Sequence, residues 1–227
     1  MEKCNRLISA VSEFYENSRD DENGRFHSWE HCYYNFYKAR SGKKPNEDYL
    51  SLQLAFYLAS WGMYRGSSFL LEKDYRVHIP VVNMILCPKY DVLLGADYKV
   101  LLDEDNQALL WELSEKLEKY YNGIRSRVKG ENIKNPVSQT LITKILMGTL
   151  GCVPAYDGYF IKGIVKEKVA KGTYNKESVK SLAKFYGKYN EKLDSERSNW
   201  RVEDIEYPQM KLLDMGFWQI GKAITIK

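Results

Sequence analysis

The stretch 46–71, NEDYLSLQLAFYLASWGMYRGSSFLL, decides the fold, because it is the most apolar long run in an otherwise polar sequence. Between Leu50 and Met63 its apolar side chains surround a helix instead of following one stripe. A helix that is apolar all round is buried on most sides. We therefore predict a buried central helix over about residues 46–63, followed by a junction rich in glycine and serine at 62–68.

Apolar residues recur at helical spacing in most other segments, which predicts an all-α fold: a compact multi-helix globular domain packed around the central helix. A length of 227 residues suits one large domain or two small ones. The loop 129–136, KGENIKNP, is the one linker that the sequence suggests. It separates an N-terminal helical lobe, 1–128, from a basic C-terminal lobe, 129–227, with a helical hairpin at 138–170. A single domain is the alternative.

Features of membrane proteins and of disulfide-stabilised proteins are missing from this sequence. No apolar run reaches the ~18–20 residues that a membrane-spanning helix needs. The four cysteines lie far apart and form no CxxC pair, which favours free thiols in a reducing compartment. We expect a soluble cytoplasmic protein with no membrane partner. No P-loop, GxGxxG or GxSxG pattern occurs, and we predict no cofactor.

Charge is distributed unevenly along the sequence. From Lys116 to Arg201 there are 18 Lys+Arg and 8 Asp+Glu, so this segment carries a net charge of +10, whereas the remaining residues carry −6. A basic segment of this kind suits a polyanionic partner such as nucleic acid. Lysine-rich solvated helices give the same pattern without any nucleic acid, so charge alone leaves both interpretations open.

Two histidines lie one helical turn apart in the predicted second helix. His27-Ser28-Trp29-Glu30-His31 has the spacing H-x-x-E-H, in which both imidazoles could bind one zinc ion and Glu30 could act as a general base. No distinctive acidic motif later in the sequence supplies a third ligand. The structural alternative places His27 in solvent at the start of the helix and His31 in a polar contact. We favour that alternative and predict no metal site.

The segment 144–160, KILMGTLGCVPAYDGYF, predicts a helix, a glycine-containing turn and a second helix. In such a hairpin, the backbone N–H groups that open the second helix suit a phosphate. Over about residues 138–220 the chain resembles the helix-hairpin-helix DNA glycosylase superfamily, which is all-α. The family hairpin reads leucine–proline–glycine–hydrophobic–glycine, and 150–154, LGCVP, keeps its first glycine. Near the position of the family's catalytic aspartate, this sequence has Asn175.

Asp157 is the candidate catalytic carboxylate, at the start of the second hairpin helix. Its neighbours Tyr156, Tyr159 and Phe160 could stack on an everted base, and a carboxylate could orient water or stabilise a cationic sugar. The structural alternative is that Asp157 only caps the helix or places a charge in its first turn. The residues assigned to nucleic-acid contacts are Lys144, Gly151, Cys152, Val153, Pro154, Tyr156, Lys162 and Lys166.

A cleft is expected where the junction after the central helix meets the hairpin turn. We predict that the segments 61–68 and 154–157 lie close together. Arg65 could contact phosphate or pair with a buried carboxylate such as Asp214, and we favour the internal pair slightly. The residues assigned to this cleft are Trp61, Tyr64, Arg65, Ser67, Asp214 and Trp218.

Three functions are compatible with the sequence. The first is a nucleic-acid-binding helical protein, with DNA favoured, which the resemblance would make a divergent glycosylase-like repair or defence enzyme. The second is a non-catalytic helical module that binds a protein partner through its many tyrosines. The third is a metal-dependent hydrolase that uses His27 and His31. Binding to DNA or heparin, and metal analysis, separate the three.

Overall fold

A computed structural model of the chain describes residues 2–41, 45–130 and 135–225. The described residues form α-helices joined by short turns and by one two-stranded hairpin, which confirms the predicted all-α fold. The helices are α1 (Glu2–Arg19), α2 (His27–Ser41), α3 (Glu47–Ser60), α4 (Ile79–Ile85), α5 (Tyr98–Leu102), α6 (Glu104–Lys129), α7 (Gln139–Thr149), α8 (Gly158–Lys166), α9 (Lys176–Lys188), α10 (Asn190–Arg197) and α11 (Gln209–Thr225). The strands β1 (Arg201–Val202) and β2 (Ile205–Glu206) pair antiparallel. The 3-10 turns are Phe69–Glu72, Tyr75–His78 and Pro88–Leu93.

The central helix α3 begins where the sequence predicts. Asn46 caps it, because its side-chain oxygen accepts a hydrogen bond from the Tyr49 backbone N–H at 3.0 Å. It ends at Ser60, and the chain then turns through Gly62, whose φ of 78° lies in the left-handed region that glycine adopts without strain. The turn carries the chain away from the helix axis and opens the junction that the sequence predicts.

The prediction of a buried central helix is confirmed, although one face of α3 is exposed. Leu50, Leu54 and Leu58 are buried in the core. Leu52 is 46% exposed and Phe56 is 57% exposed. The helices α2, α4 and α7 and the turn Tyr75–His78 pack against α3. Among the described residues, Leu52 and Phe56 therefore present an apolar surface of α3 to solvent.

One hydrophobic core connects the two halves of the chain. It extends from Cys4 in α1 to Trp218 in α11 without interruption. Helix α1 packs against α11, and α2 and α3 both pack against α7. The predicted lobes 1–128 and 129–227 therefore contribute apolar side chains to the same core. Part of the predicted linker, 131–134, lies outside the described residues.

Helices α8 and α11 pack backbone to backbone, and glycine makes this approach possible. A Cβ atom on Gly163 would lie 1.9 Å from the Phe217 carbonyl oxygen, and one on Gly221 would lie 1.8 Å from the Tyr159 carbonyl oxygen. Both positions therefore exclude any side chain. The close contact holds the start of α8 against the C-terminal half of α11, and side chains from both helices line the site described below.

No helix among the described residues is long and apolar enough to cross a membrane. All four cysteine thiols are free, and those of Cys4, Cys32 and Cys152 are buried. Burial raises the pKa of the Cys152 thiol to about 12, so this group stays protonated at neutral pH. These three thiols therefore act as small apolar side chains in the core.

Candidate functional site

A cleft of about 850 Å³ opens between the junction after α3 and the first turns of α7 and α8. Trp61 and Gly62 line it on one side, and Asp157 lines it on the other, which confirms that the segments 61–68 and 154–157 lie close together. A cleft of this size accommodates a small organic molecule or a nucleoside. The other charged and aromatic side chains that line the cleft are Arg25, Arg65, Lys144, Tyr159, Lys162 and Trp218.

Lys144 forms the floor of the cleft. Its side chain is only 5% exposed, and its Nζ donates a hydrogen bond to the Trp61 carbonyl oxygen at 2.7 Å. Asp157 Oδ2 lies 3.8 Å from the same Nζ. Burial lowers the pKa of Lys144, the two nearby arginines act in the same direction, and two carboxylates oppose it. The neutral, nucleophilic form of the Lys144 amine is therefore easier to reach than that of an ordinary lysine.

Asp157 caps α8 and also faces the cleft. Its Oδ1 accepts hydrogen bonds from the backbone N–H groups of Tyr159 and Phe160, each at 3.1 Å. Asp157 therefore forms the helix cap that the structural alternative predicts. The cap uses only one carboxylate oxygen, however, and Oδ2 points towards the Lys144 amine. One side chain thus has both a capping contact and a contact with the cleft floor.

A second lysine lies directly behind this floor and was not predicted from the sequence. Lys211, in the first turn of α11, is fully buried, and its Nζ lies 3.3 Å from Asp214 Oδ2. The other carboxylate oxygen of Asp214 accepts the Ala155 backbone N–H at 2.9 Å. Burial lowers the pKa of Lys211 and raises the pKa of Asp214, and the attraction between the two opposes both changes.

Aromatic rings surround both amines. Trp61 and Trp218 meet edge to face with ring centroids 6.2 Å apart, and Tyr159 meets Trp218 in the same way at 5.2 Å. Lys211 Nζ lies 4.6 Å from the centroid of the Trp29 ring, a distance at which cation and ring attract each other. The indole N–H of Trp61 is buried and has no hydrogen-bond partner in the structure. The cleft therefore offers ring surfaces to a ligand.

The rim of the cleft is cationic. Arg25 and Lys162 are exposed at its edges, and the Lys162 Nζ donates to Thr225 Oγ1 at 3.0 Å. Arg65 is also exposed and stands between the cleft and a second hollow of about 430 Å³. This hollow carries Arg125 and Lys129 from the end of α6. The cations come from both halves of the chain and not only from the basic segment.

The predicted phosphate contacts of the hairpin turn are wrong in this structure. Gly151, Cys152, Val153 and Pro154 are all buried. The Gly151 N–H donates to the Leu146 carbonyl at 2.9 Å, and a Cβ on Gly151 would meet Pro208 and Tyr33. The turn packs into the core because its side chains are short and apolar, and its backbone is therefore buried away from the surface where a phosphate would bind.

Tyr156 also lies in the core. Its hydroxyl bonds with Ser178 Oγ at 2.7 Å, and its backbone N–H donates to Thr143 Oγ1 at 2.9 Å. Both polar groups are therefore used internally, which does not agree with a base-stacking role. Lys166 is exposed but does not line the cleft, whereas Lys162 does.

The other predicted cleft residues lie in different parts of the structure. Trp218 lines the cleft, and Asp214 lines a small inner cavity beneath it. Tyr64 instead bonds through its hydroxyl with His78 Nε2 at 2.7 Å, and Ser67 lines the second hollow. The favoured pair of Arg65 with Asp214 is wrong, because Asp214 pairs with Lys211.

His27 and His31 do not form a metal site with Glu30. Glu30 is buried, where its carboxylate contacts His27 Nδ1 at 2.6 Å and Arg19 Nη2 at 2.9 Å, and it also accepts a hydrogen bond from the Tyr207 hydroxyl. These partners occupy the carboxylate that would have served as a general base. His31 points to solvent. No group of three potential ligands comes together among the residues that the structure describes.

Lys144 and Lys211 share a signal in the sequence. Each is a single lysine within an apolar helical run: LITKILMGTL for Lys144 and PQMKLLDMGFWQI for Lys211. A lysine in such a run is either at a surface edge or buried with a partner. The sequence predicts Lys144 as a nucleic-acid contact and does not single out Lys211, because neither pattern shows which carboxylate packs against the lysine.

No family model, curated protein or solved structure matches this chain. We therefore infer its function from the residues of the cleft.

Proposed function

We propose that this protein is a nucleic-acid-processing enzyme, with DNA favoured, that takes an everted nucleotide into the cleft and cleaves its glycosidic bond. The observation that carries the proposal is the buried Lys144 amine, 3.8 Å from the Asp157 carboxylate, at the floor of an aromatic and cation-rimmed cleft. An everted base stacks on rings such as Trp61 and Trp218. The resemblance to helix-hairpin-helix DNA glycosylases agrees with this function.

Lys144 supplies the nucleophile in this proposal. Its neutral amine attacks C1′ of the nucleotide, and the electron pair of the C1′–N bond leaves with the base, which takes up a proton from solvent. The nitrogen then passes a proton to the ring oxygen as the C1′–O bond opens, which leaves a protonated imine that water hydrolyses. Burial supports this step because only the neutral amine is reactive. The Asp157 carboxylate stabilises the positive charge on the sugar.

The cations around the cleft hold the backbone on both sides of the everted nucleotide. Arg25 and Lys162 stand on the rim, and Arg65 leads into the second hollow with Arg125 and Lys129. Phosphate contacts from lysine and arginine supply most of the sequence-independent affinity for DNA. This arrangement replaces the hairpin turn as the predicted phosphate-binding surface.

The test combines binding and chemistry on labelled duplex and single-stranded DNA that carries alkylated, oxidised or deaminated bases. We expect binding that weakens as salt rises, and release of at least one of these bases. Lys144→Gln should lower base release at least about 100-fold, whereas Lys166→Gln, a lysine outside the cleft, should leave it unchanged.

Two results of this test would contradict the proposal. Absence of binding at about 50 mM salt, where phosphate contacts are strongest, removes nucleic acid as the substrate. Binding without release of any of these bases leaves the non-catalytic alternative and removes the enzyme.

A further inference from the structure

Two lysine–aspartate pairs lie side by side beneath the cleft. Lys144 and Asp157 form the outer pair, and Lys211 and Asp214 form the inner pair. All four side chains line one small inner cavity of about 10 Å³, together with the ring of Tyr57 and two tryptophans. Each carboxylate therefore acts on more than one amine, and the Asp214 carboxylate acts electrostatically on Lys144 as well as on Lys211.

The distances show which amine each carboxylate contacts in the structure. Asp214 Oδ2 lies 3.3 Å from Lys211 Nζ, and its Oδ1 accepts the Ala155 N–H at 2.9 Å. Both oxygens of Asp214 are thus held on the side away from the cleft. The Lys144 ammonium donates to a backbone carbonyl, that of Trp61, and its nearest carboxylate oxygen is 3.8 Å away. Its contact with a carboxylate is longer than the one that Lys211 has.

We propose that Lys211 is a positioning residue for Lys144: it holds Asp214 in a separate ion pair, which prevents that carboxylate from fixing the Lys144 amine in its charged form. The inference rests on the proposed function for its purpose, because a reactive amine is what that function needs. The protonation state that the fold favours at Lys144 does not depend on any nucleic acid.

The physical reason is the low polarity of the site. A carboxylate within about 4–6 Å of a lysine stabilises the ammonium form by 1–3 pKa units. Without the Lys211 ammonium, the Asp214 charge would be buried with no partner except Lys144, across the shared cavity. A buried charge without a partner is costly, so the side chains would rearrange to pair it. Lys144 would then be held more strongly in its charged form, which is inactive as a nucleophile.

Other charged groups around the two amines are fixed by their own partners or are open to solvent. Arg25 and Arg65 on the rim disfavour the charged form of Lys144, and Asp157 favours it. Glu30, on the far side of Lys211, is engaged by Arg19 and His27. The Tyr57 hydroxyl stays protonated because burial raises its pKa well above the usual value. The remaining group that can change the charge on Lys144 is the Asp214 carboxylate, through the amine with which it pairs.

Reductive methylation with formaldehyde and cyanoborohydride tests this inference on the folded full chain. The reaction modifies only neutral amines, and mass spectrometry reports each lysine separately. The pH midpoint of labelling is measured for Lys144, with exposed Lys166 as the internal reference. In the unmodified sequence we expect Lys144 to label with a lower midpoint than Lys166.

Variants at the inner pair decide between a positioning role and a merely structural one. Lys211→Met leaves Asp214 without its partner and should raise the Lys144 midpoint by about one pH unit or more. Lys211→Arg keeps the charge and should restore the original midpoint. The double variant Lys211→Met/Asp214→Asn removes both charges and should return the midpoint to its original value or below. A midpoint that does not move in Lys211→Met, or that stays high in the double variant, overturns the inference.

Asp214→Asn decides the matter if Lys211→Met does not fold, as judged by circular dichroism. Loss of the Asp214 anion should lower the Lys144 midpoint further, because one charge that favours the ammonium is gone. A midpoint that rises towards that of Lys166 would instead indicate a loosened, hydrated site and would overturn the inference. The labelling pattern stands apart from the proposed function: a chain that binds no DNA can still show it.

Discussion

The chemistry of a side chain depends on its surroundings, as three residues of this site show: Asp157, Lys144 and Lys211. Asp157 combines a helix cap with a contact to the cleft, since each of its oxygens has a different task. Lys144 and Lys211 lie in apolar surroundings that disfavour the charged form of both amines. Types and approximate positions of such residues can be read from the sequence. Their partners cannot, because Lys144 and Trp61 are brought together only by the fold.

Asp157→Asn separates the two tasks of Asp157. Asparagine caps a helix about as well as aspartate, so the free energy of unfolding should change by less than about 1 kcal/mol. The negative charge beside Lys144 is lost, and base release should fall about 100-fold if that charge stabilises the sugar. Denaturant unfolding and single-turnover base release measure the two effects.

The control for this pair of measurements is Asp157→Ala, which also removes the cap. It should lose activity and about 1 kcal/mol of stability together. Base release that is unaffected by Asp157→Asn would remove Asp157 from the mechanism and leave it as a cap only.

The hairpin α7–α8 and helix α11 set the geometry of the cleft at the scale of the secondary structure. The sequence predicts a hairpin of two helices within 138–170, and the two helices are observed at Gln139–Thr149 and Gly158–Lys166. It does not show that the turn 151–154 is buried, because a short apolar turn with one glycine suits a surface phosphate site as well as the core. The exposed stripe on α3 was missed for a related reason. Apolar residues on every face indicate burial only when enough neighbouring elements are present.

Gly163→Ala tests the contact between α8 and α11. The added Cβ would collide with the Phe217 carbonyl, and α8 cannot retreat without moving Asp157 and the cleft floor. We expect a loss of about 2–3 kcal/mol in the free energy of unfolding, as is common when a packed contact is overfilled. Chemical denaturation gives this value directly.

Gly123→Ala in the middle of α6 is the matched control. Nothing lies within 4 Å of a Cβ placed on Gly123, so alanine should stabilise the helix by roughly 0.5–1 kcal/mol. A Gly163→Ala variant that is as stable as the original chain would show that α8 and α11 are not held at the distance that the structure gives.

Charge acts at the scale of the whole molecule. The basic segment 116–201 carries +10, yet two cations of the cleft, Arg25 and Arg65, come from the acidic remainder of the chain. The net charge of a segment therefore indicates an anionic partner without locating its site. The location follows from how the shared core folds the end of α3 onto the starts of α7 and α8.

Arg65→Gln tests whether this face binds the nucleic-acid backbone. If Arg65 neutralises one phosphate, the slope of log affinity against log salt should fall by about 0.9, equally for every DNA sequence. Fluorescence anisotropy over a salt series measures the slope. Lys166→Gln removes an exposed cation outside the cleft and should leave it unchanged; equal slopes for both variants would place the DNA elsewhere.

The proposed reaction passes through a covalent intermediate between Lys144 and the sugar. Borohydride reduces an imine to a stable amine, so it should link the chain to DNA during base release. Peptide mapping of the trapped complex by mass spectrometry then identifies the attached residue. We expect a single adduct on Lys144, absent from Lys144→Gln and present in Lys166→Gln. An adduct on another lysine, or base release with no trapped complex at all, would contradict it.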